Sequence, residues 1–151
     1  VEIPFMEKFD LVYVVFNTIF ALLTQDAQVR CFQTVAEHLD SKGLFTVEAF
    51  IPDLSRFQWG QTVRAIQLES QQARLDASII DPIQQVITSQ HIVLDSEKTR
   101  INPVKLRYIW PSEMDLMARL AGLKLEHRWG DWNQTPFNKT STKHISVYGR
   151  M

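Results

Sequence analysis

Cysteine is nearly absent: Cys31 is the only one in 151 residues. A single thiol excludes an intramolecular disulfide framework, and no Cys/His spacing matches a zinc site. Glycine is scarce too, and Gly43, Gly60, Gly122, Gly130 and Gly149 each stand alone. There is no G-x-G and no G-x-x-x-x-G-K-[ST], so the residues encode neither a dinucleotide-type glycine turn nor a phosphate loop. Neither charge sign dominates, with 16 basic against 17 acidic side chains and a net charge of −1. Phosphate neutralisation needs a Lys/Arg excess, so a strongly basic nucleic-acid binder is excluded. No Lys/Arg block suits an anionic membrane surface. The longest apolar run near the start, Leu11 to Phe16, falls well short of the ~20 residues that cross a bilayer. It follows Glu2, Glu7 and Asp10 rather than a basic stretch, which argues against a signal peptide. The expectation is a near-neutral cytoplasmic protein that uses no metal and binds neither nucleic acid nor membrane. It opens at Val1 rather than Met, which reads as processing or as part of something longer.

Apolar residues make up 45% of the chain, enough for a real core and too many for global disorder. The length suits one domain. Phe9 to Phe16 is a β-branched and aromatic run without alternation, the pattern of a strand buried on both faces. Asn17 and Thr18 end it. A helix follows from Gln25 to Leu39, with Thr24 as N-cap, Asp26 in the first turn, and Val29, Phe32, Ala36 and Leu39 on one apolar face. Lys42-Gly43 reads as its C-terminal stop. Leu44 to Phe50 is a second strand, and the three elements form a βαβ unit with a right-handed crossover.

The character then changes. Residues 62–69, 74–80, 83–95 and 104–110 are extended stretches separated by polar turns, including one from Asp95 through Pro103, and read as an antiparallel meander. Helical character returns at Pro111, with Ser112 and Asp115 spaced as a capping box and Gly122 as the stop. Leu123, Leu125, His127 and Trp129 alternate with polar residues as one side of a strand. His144 to Tyr148 is a last short strand. The order is an α/β protein ending in a hairpin.

FDLVYVVFN, AEHLDSKGLFTVEAF, RYIWPSEMDLMARLAGLKLEHRWGDW and the closing HISVY, in that order, resemble class I S-adenosylmethionine-dependent methyltransferases. The similarity is to their C-terminal portion, and is nearest to small-molecule enzymes such as amino-sugar N-methyltransferases. The resemblance implies a partial Rossmann-like sheet holding strands four, five, seven and six of the family. Residues 1–151 would then be a single partial domain, with residues 58–110 as an antiparallel insertion forming a substrate lid. Val1 to Lys8 would be the tail of the loop after the third strand. The family's fourth strand pairs with its first, so Leu11 to Phe16 is expected to present an open apolar edge. A homodimer contact or a missing N-terminal half is expected to cover it.

The implied activity is methyl transfer from S-adenosylmethionine to an O or N atom of a small molecule. Such a displacement needs orientation, desolvation and sometimes a base. By resemblance, Phe16, Asn17 and Thr18 border the cofactor and Phe20 the substrate, although Asn17 and Thr18 equally serve as strand terminators. Glu48 is costly to bury unpaired and is the candidate catalytic carboxylate, orienting an amine or alcohol. Its structural alternative is a partner Arg or a backbone donor. Phe50, Tyr108 and Trp110 are candidates for an aromatic substrate wall, or simply for core. Trp59, Trp129 and Trp132 rank below them, and a base role for His91 or His144 stays open. The glycine-rich cofactor half has no counterpart here, so the alternative is a non-catalytic half-Rossmann module that dimerises through its open edge.

Overall fold

The computed structural model describes Pro4 and residues 6–151. Half of the Val1 to Lys8 loop assignment, at Val1, Glu2, Ile3 and Phe5, therefore lies outside the described residues. The chain divides into two compact units, one formed by the described residues up to Pro52 with Ile109–Met151, the other by Asp53–Tyr108.

The first unit is an α/β unit with a mixed four-stranded sheet. Strand β1 (Phe9–Val14) leads through a 3-10 turn (Thr18–Ala21) to helix α1 (Gln25–His38) and then to β2 (Leu39–Phe50). β1 and β2 run parallel, with Val12 beside Phe45 and Val14 beside Val47. The Thr24 hydroxyl accepts the Ala27 amide at 3.1 Å, capping α1 as its sequence predicts. The helix nevertheless stops at His38, not at Lys42-Gly43, because Leu39 is already extended and opens β2. Gly43 serves close approach instead: a Cβ there would sit 2.6 Å from the Phe9 carbonyl oxygen and 2.9 Å from the Asp40 nitrogen.

Counting the unit's remaining elements after the other unit's four strands, helix α2 (Pro111–Leu120) leads into strands β7 (Leu123–Trp129) and β8 (Lys143–Arg150). The sheet order is β1-β2-β8-β7. Phe45, Val47 and Ala49 on β2 pair with Tyr148, Ser146 and His144 on β8, so these six share one face. Both helices cover that face: the Phe32 ring of α1 meets Phe45 at 5.1 Å and Tyr148 at 5.8 Å. Asp115 of α2 accepts the Tyr148 hydroxyl at 2.9 Å. The capping-box reading of Ser112 and Asp115 does not hold. Trp110 is the N-cap without a side-chain bond, Pro111 occupies the first turn, and Asp115 is held by Arg128 and Tyr148. Nor does β7 alternate cleanly. A bulge between Leu125 and His127 turns His127 and Trp129 to the face opposite Leu123 and Leu125.

β1 is not buried on both faces. Among the described residues it is an end strand of the sheet with β2 alone beside it, and Leu11 and Tyr13 are 54% and 64% exposed. The second unit is an antiparallel meander of β3 (Gln61–Leu68), β4 (Gln72–Asp81), β5 (Val86–Asp95) and β6 (Thr99–Arg107) in chain order. The polar stretch expected to be a turn up to Pro103 is mostly strand. Pro103 is tolerated there because β6 is an edge and needs no donor on its open side.

A polar network ties α2 to the first unit's sheet. Arg128 forks onto Asp115, donates to the Ser146 hydroxyl at 2.8 Å, and approaches the Tyr148 hydroxyl at 3.2 Å. The Ser146 hydroxyl also bonds His144 Nδ1 at 2.7 Å. His144 is wholly buried, with Nε2 lacking a partner and Phe137 edge-on at 6.1 Å. Burial first, and then the Arg128 charge, push its pKa down to about 4, so it folds as a neutral imidazole.

Two outcomes are expected. Gly43→Ala should cost about 1–3 kcal/mol in urea unfolding because its new methyl meets backbone atoms that cannot swing aside. Gly122, at φ +76° with open space around it, should lose only about 1 kcal/mol on the same change. A neutral effect at Gly43 contradicts the close approach. For His144 the unfolded state binds the extra proton between its free pKa of 6.5 and about 4. Stability should therefore fall as pH drops through that window, and His144→Gln should flatten this part of the profile. A profile identical to the native one contradicts a buried neutral His144.

Candidate functional site

The C-terminal ends of β1 and β2 lie side by side because their pairing is parallel and in register up to Val14 with Val47. Beyond Val14 the chain turns sharply. Phe16 and Asn17 are both left-handed, at φ 56° and 62°. Asn tolerates that conformation well, whereas Phe rarely adopts it. The turn must therefore be held from outside.

Glu48 and its neighbours hold it. The Phe16 amide donates to Glu48 Oε2 at 3.2 Å, and the Asn17 amide donates to the Glu48 carbonyl at 3.3 Å. Asn17 Oδ1 in turn accepts the Phe50 amide at 2.6 Å. The Thr18 hydroxyl donates to the Val15 carbonyl at 2.7 Å. The Phe16 side chain faces outward, 81% exposed.

Glu48 is buried, with 9% of its side chain exposed, and its Oε1 accepts Lys143 Nζ at 3.0 Å. Burial pushes its carboxyl up. The Lys143 ammonium and the Phe16 amide outweigh that, with a smaller contribution from the Trp132 indole, and the net pKa lies below the ordinary carboxyl value. At neutral pH Glu48 is therefore a carboxylate with both oxygens engaged.

The sequence candidates divide accordingly. Phe16, Asn17, Thr18, Phe20, Glu48 and Phe50 come together in this corner. Phe20 is wholly buried, and its ring meets Phe50 edge-on at 4.9 Å, so it contributes core rather than surface. Trp110 stands at the start of α2, 36% exposed, and Tyr108 is buried just after β6 in the second unit. Lys143 was not among the candidates. It sits two positions from the partner of Glu48, since Ile145 pairs with Glu48 and Lys143 with Phe50, which is within diagonal reach on a sheet face. Only the β2–β8 register reveals it. Trp132, ranked low by sequence, touches the same carboxylate. Among the described residues no group of three or more His, Cys, Asp or Glu side chains could hold a metal ion, and no helix is long and apolar enough to cross a membrane.

No family model and no curated protein sequence matches the chain. Solved structures do. The CcbJ methyltransferase from Streptomyces caelestis is 38% identical, with a TM-score of 0.91 over 96% of this chain and 62% of that one. CalS10, an amino pentose methyltransferase from Micromonospora echinaspora solved with S-adenosylmethionine bound, is 20% identical. It gives a TM-score of 0.70 over 99% of this chain and 61% of its own. The sugar N-methyltransferase KedS8 from a Streptoalloteichus species is 14% identical, with a TM-score of 0.61 over 99% of this chain and 60% of its own. This chain thus spans about three fifths of the length of each of these three structures. By fold along nearly its whole length, and by sequence to the Streptomyces caelestis enzyme, the chain is similar to S-adenosylmethionine-dependent methyltransferases, and its likeness to the amino-sugar enzymes is one of fold alone.

Proposed function

We propose that this chain forms the substrate-side part of an S-adenosylmethionine-dependent methyltransferase acting on an O or N atom of a small molecule. The observation that carries this reading is the match to the Streptomyces caelestis methyltransferase, close in both fold and sequence over 96% of the chain. In this reading β1, β2, β8 and β7 are the family's fourth, fifth, seventh and sixth strands. The exposed Phe16 ring, with Asn17 and Thr18 behind it, then forms one wall for the cofactor, and Phe50 and Trp110 lie on the substrate side.

These residues do not suffice for the cofactor by themselves. The amides of Phe16, Asn17 and Thr18 are engaged within the chain, as is the Asn17 side-chain oxygen. The sequence has no glycine turn to let a ligand approach the backbone. When bound, S-adenosylmethionine supplies the electrophilic methyl group on its sulfonium. What this chain adds is orientation and exclusion of water.

The remaining surfaces come from elsewhere in the same reading. The relative's unmatched portion is 38% of its length, as 62% is covered. Among the described residues no strand lies on the outer side of β1, and Leu11 and Tyr13 are exposed there. A segment equivalent to that unmatched portion, on the same or another polypeptide, pairs with this edge and completes the cofactor site.

The test joins this chain to the portion of the Streptomyces caelestis enzyme that it does not match. Transfer of labelled methyl from S-adenosylmethionine to a panel of amino sugars and small amines is then measured. Transfer is expected, with Phe16→Ala lowering it at least about tenfold, and Tyr13→Asp preventing assembly by charging the strand edge. A folded hybrid that transfers to no acceptor overturns the methyltransferase reading. A stable homodimer of this chain alone, lost in Tyr13→Asp, assigns the edge to self-association instead.

A further inference from the structure

The sharpest local oddity in the first unit is the pair of left-handed residues Phe16 and Asn17. A bulky residue in that region persists only where its surroundings over-determine it, and such places concentrate at functional sites. Here the surroundings are few and nameable. Asn17 is fixed by the backbone of β2, through the Glu48 carbonyl and the Phe50 amide. Phe16 is fixed differently, by one bond from its amide to a side chain, Glu48 Oε2. The Thr18 amide and hydroxyl close the turn onto the Val15 carbonyl around Phe16, and the Glu48 carboxylate is what holds the Phe16 amide itself. The Glu48 carboxylate is itself aimed by Lys143, which reaches Oε1 across from β8.

We propose that Lys143 is a positioning residue for the site: through Glu48 it sets the left-handed turn that presents the Phe16 ring. The chain of contacts runs from the Lys143 ammonium to Glu48 Oε1, through the carboxylate to Oε2, and from there to the Phe16 amide. Both links are polar, at 3.0 Å and 3.2 Å, and the carboxylate in the middle is buried. Charge-assisted bonds of this kind are both stronger and more directional than neutral ones. Glu48 then contributes no proton transfer. Its burial and its two engaged oxygens make it a spacer between a cation and a backbone amide.

The groups that face this clamp are few. Lys143 comes from β8, and the Trp132 indole comes from the loop after β7. Asp131 also feels the Lys143 charge, but its carboxylate is bonded to Thr135 and to the Asn133 amide. Lys143 therefore serves Glu48 in the interior and stabilises Asp131 at the surface.

This proposal deepens the methyltransferase reading and rests on it for its functional meaning, but its test needs no cofactor. The Phe16 amide is followed by NMR against pH in the native chain, in Lys143→Met and in Lys143→Arg. In the native chain the Phe16 shift should titrate with a midpoint below the ordinary carboxyl range. In Lys143→Met, burial without a cation should raise that midpoint above the ordinary range. The Phe16 amide should then exchange with solvent about tenfold faster, while amides in the middle of α1 keep their protection. Lys143→Arg should restore both. An unchanged midpoint and exchange rate in Lys143→Met, or no rescue by Arg, overturns the clamp. If Lys143→Met does not fold, Glu48→Gln carries the test: the pH dependence of the Phe16 amide should vanish, and its persistence overturns the assignment. A clamp that fails leaves the methyltransferase reading standing. A hybrid that folds with the native Phe16 titration and transfers no methyl group overturns that reading and spares the clamp.

Discussion

The parallel pairing of β1 with β2 is the constraint on which the candidate site depends. Two strands that run the same way end at the same place, and each hands its polypeptide to a turn there. Because Val14 lies beside Val47, the chain leaving β1 emerges next to Glu48. The βαβ connection through α1 makes this arrangement compulsory, since a parallel pair cannot be joined by a hairpin. β2 also pairs antiparallel with β8 on its other side, which brings Lys143 to the same corner. A central strand with neighbours of opposite direction thus collects an acid, a cation and a strained turn from three distant stretches of sequence.

The two faces of this sheet are built differently. One carries Phe45, Val47, Ala49, Tyr148, Ser146 and His144 beneath both helices. It is held by aromatic edge-to-face contacts and by the Arg128–Asp115–Tyr148 network. That network fixes α2 at its middle, because Asp115 lies within the helix and receives two partners from the sheet. Buried polar groups of this kind add specificity only when satisfied, and the unpartnered Nε2 of His144 is the exception. The other face carries Glu48, Ile145 and Lys143 and continues to the exposed side chains of β1.

Much of the fold was legible in the sequence, and the reasons are local. Thr24 capping α1, Gly122 ending α2 with a positive φ, and the four strands of the meander all follow from short-range rules of capping, turn chemistry and periodicity. The errors are where tertiary contacts overrode such rules. Gly43 looks like a helix stop, yet it is required by the approach of the Phe9 carbonyl from another strand. Ser112 and Asp115 have cap spacing, but Arg128 claims the carboxylate. The run Phe9 to Phe16 has the composition of an interior strand, and in this chain it sits at the sheet's end. Of the candidate site, the burial cost of a carboxylate drew attention to Glu48, and its partner could not be named because register is a long-range property. Lys143 lies 95 residues away.

The central claim is that this chain carries one wall of a cofactor site whose remainder is built on the open edge of β1. The most direct measurement is a calorimetric titration of S-adenosylmethionine into the chain alone and into the chain joined to the segment that completes the sheet. The account predicts no measurable heat from the chain alone and saturable, micromolar-range binding from the completed protein. Equally tight binding by the isolated monomer would contradict it, because the site would then be whole within these 151 residues.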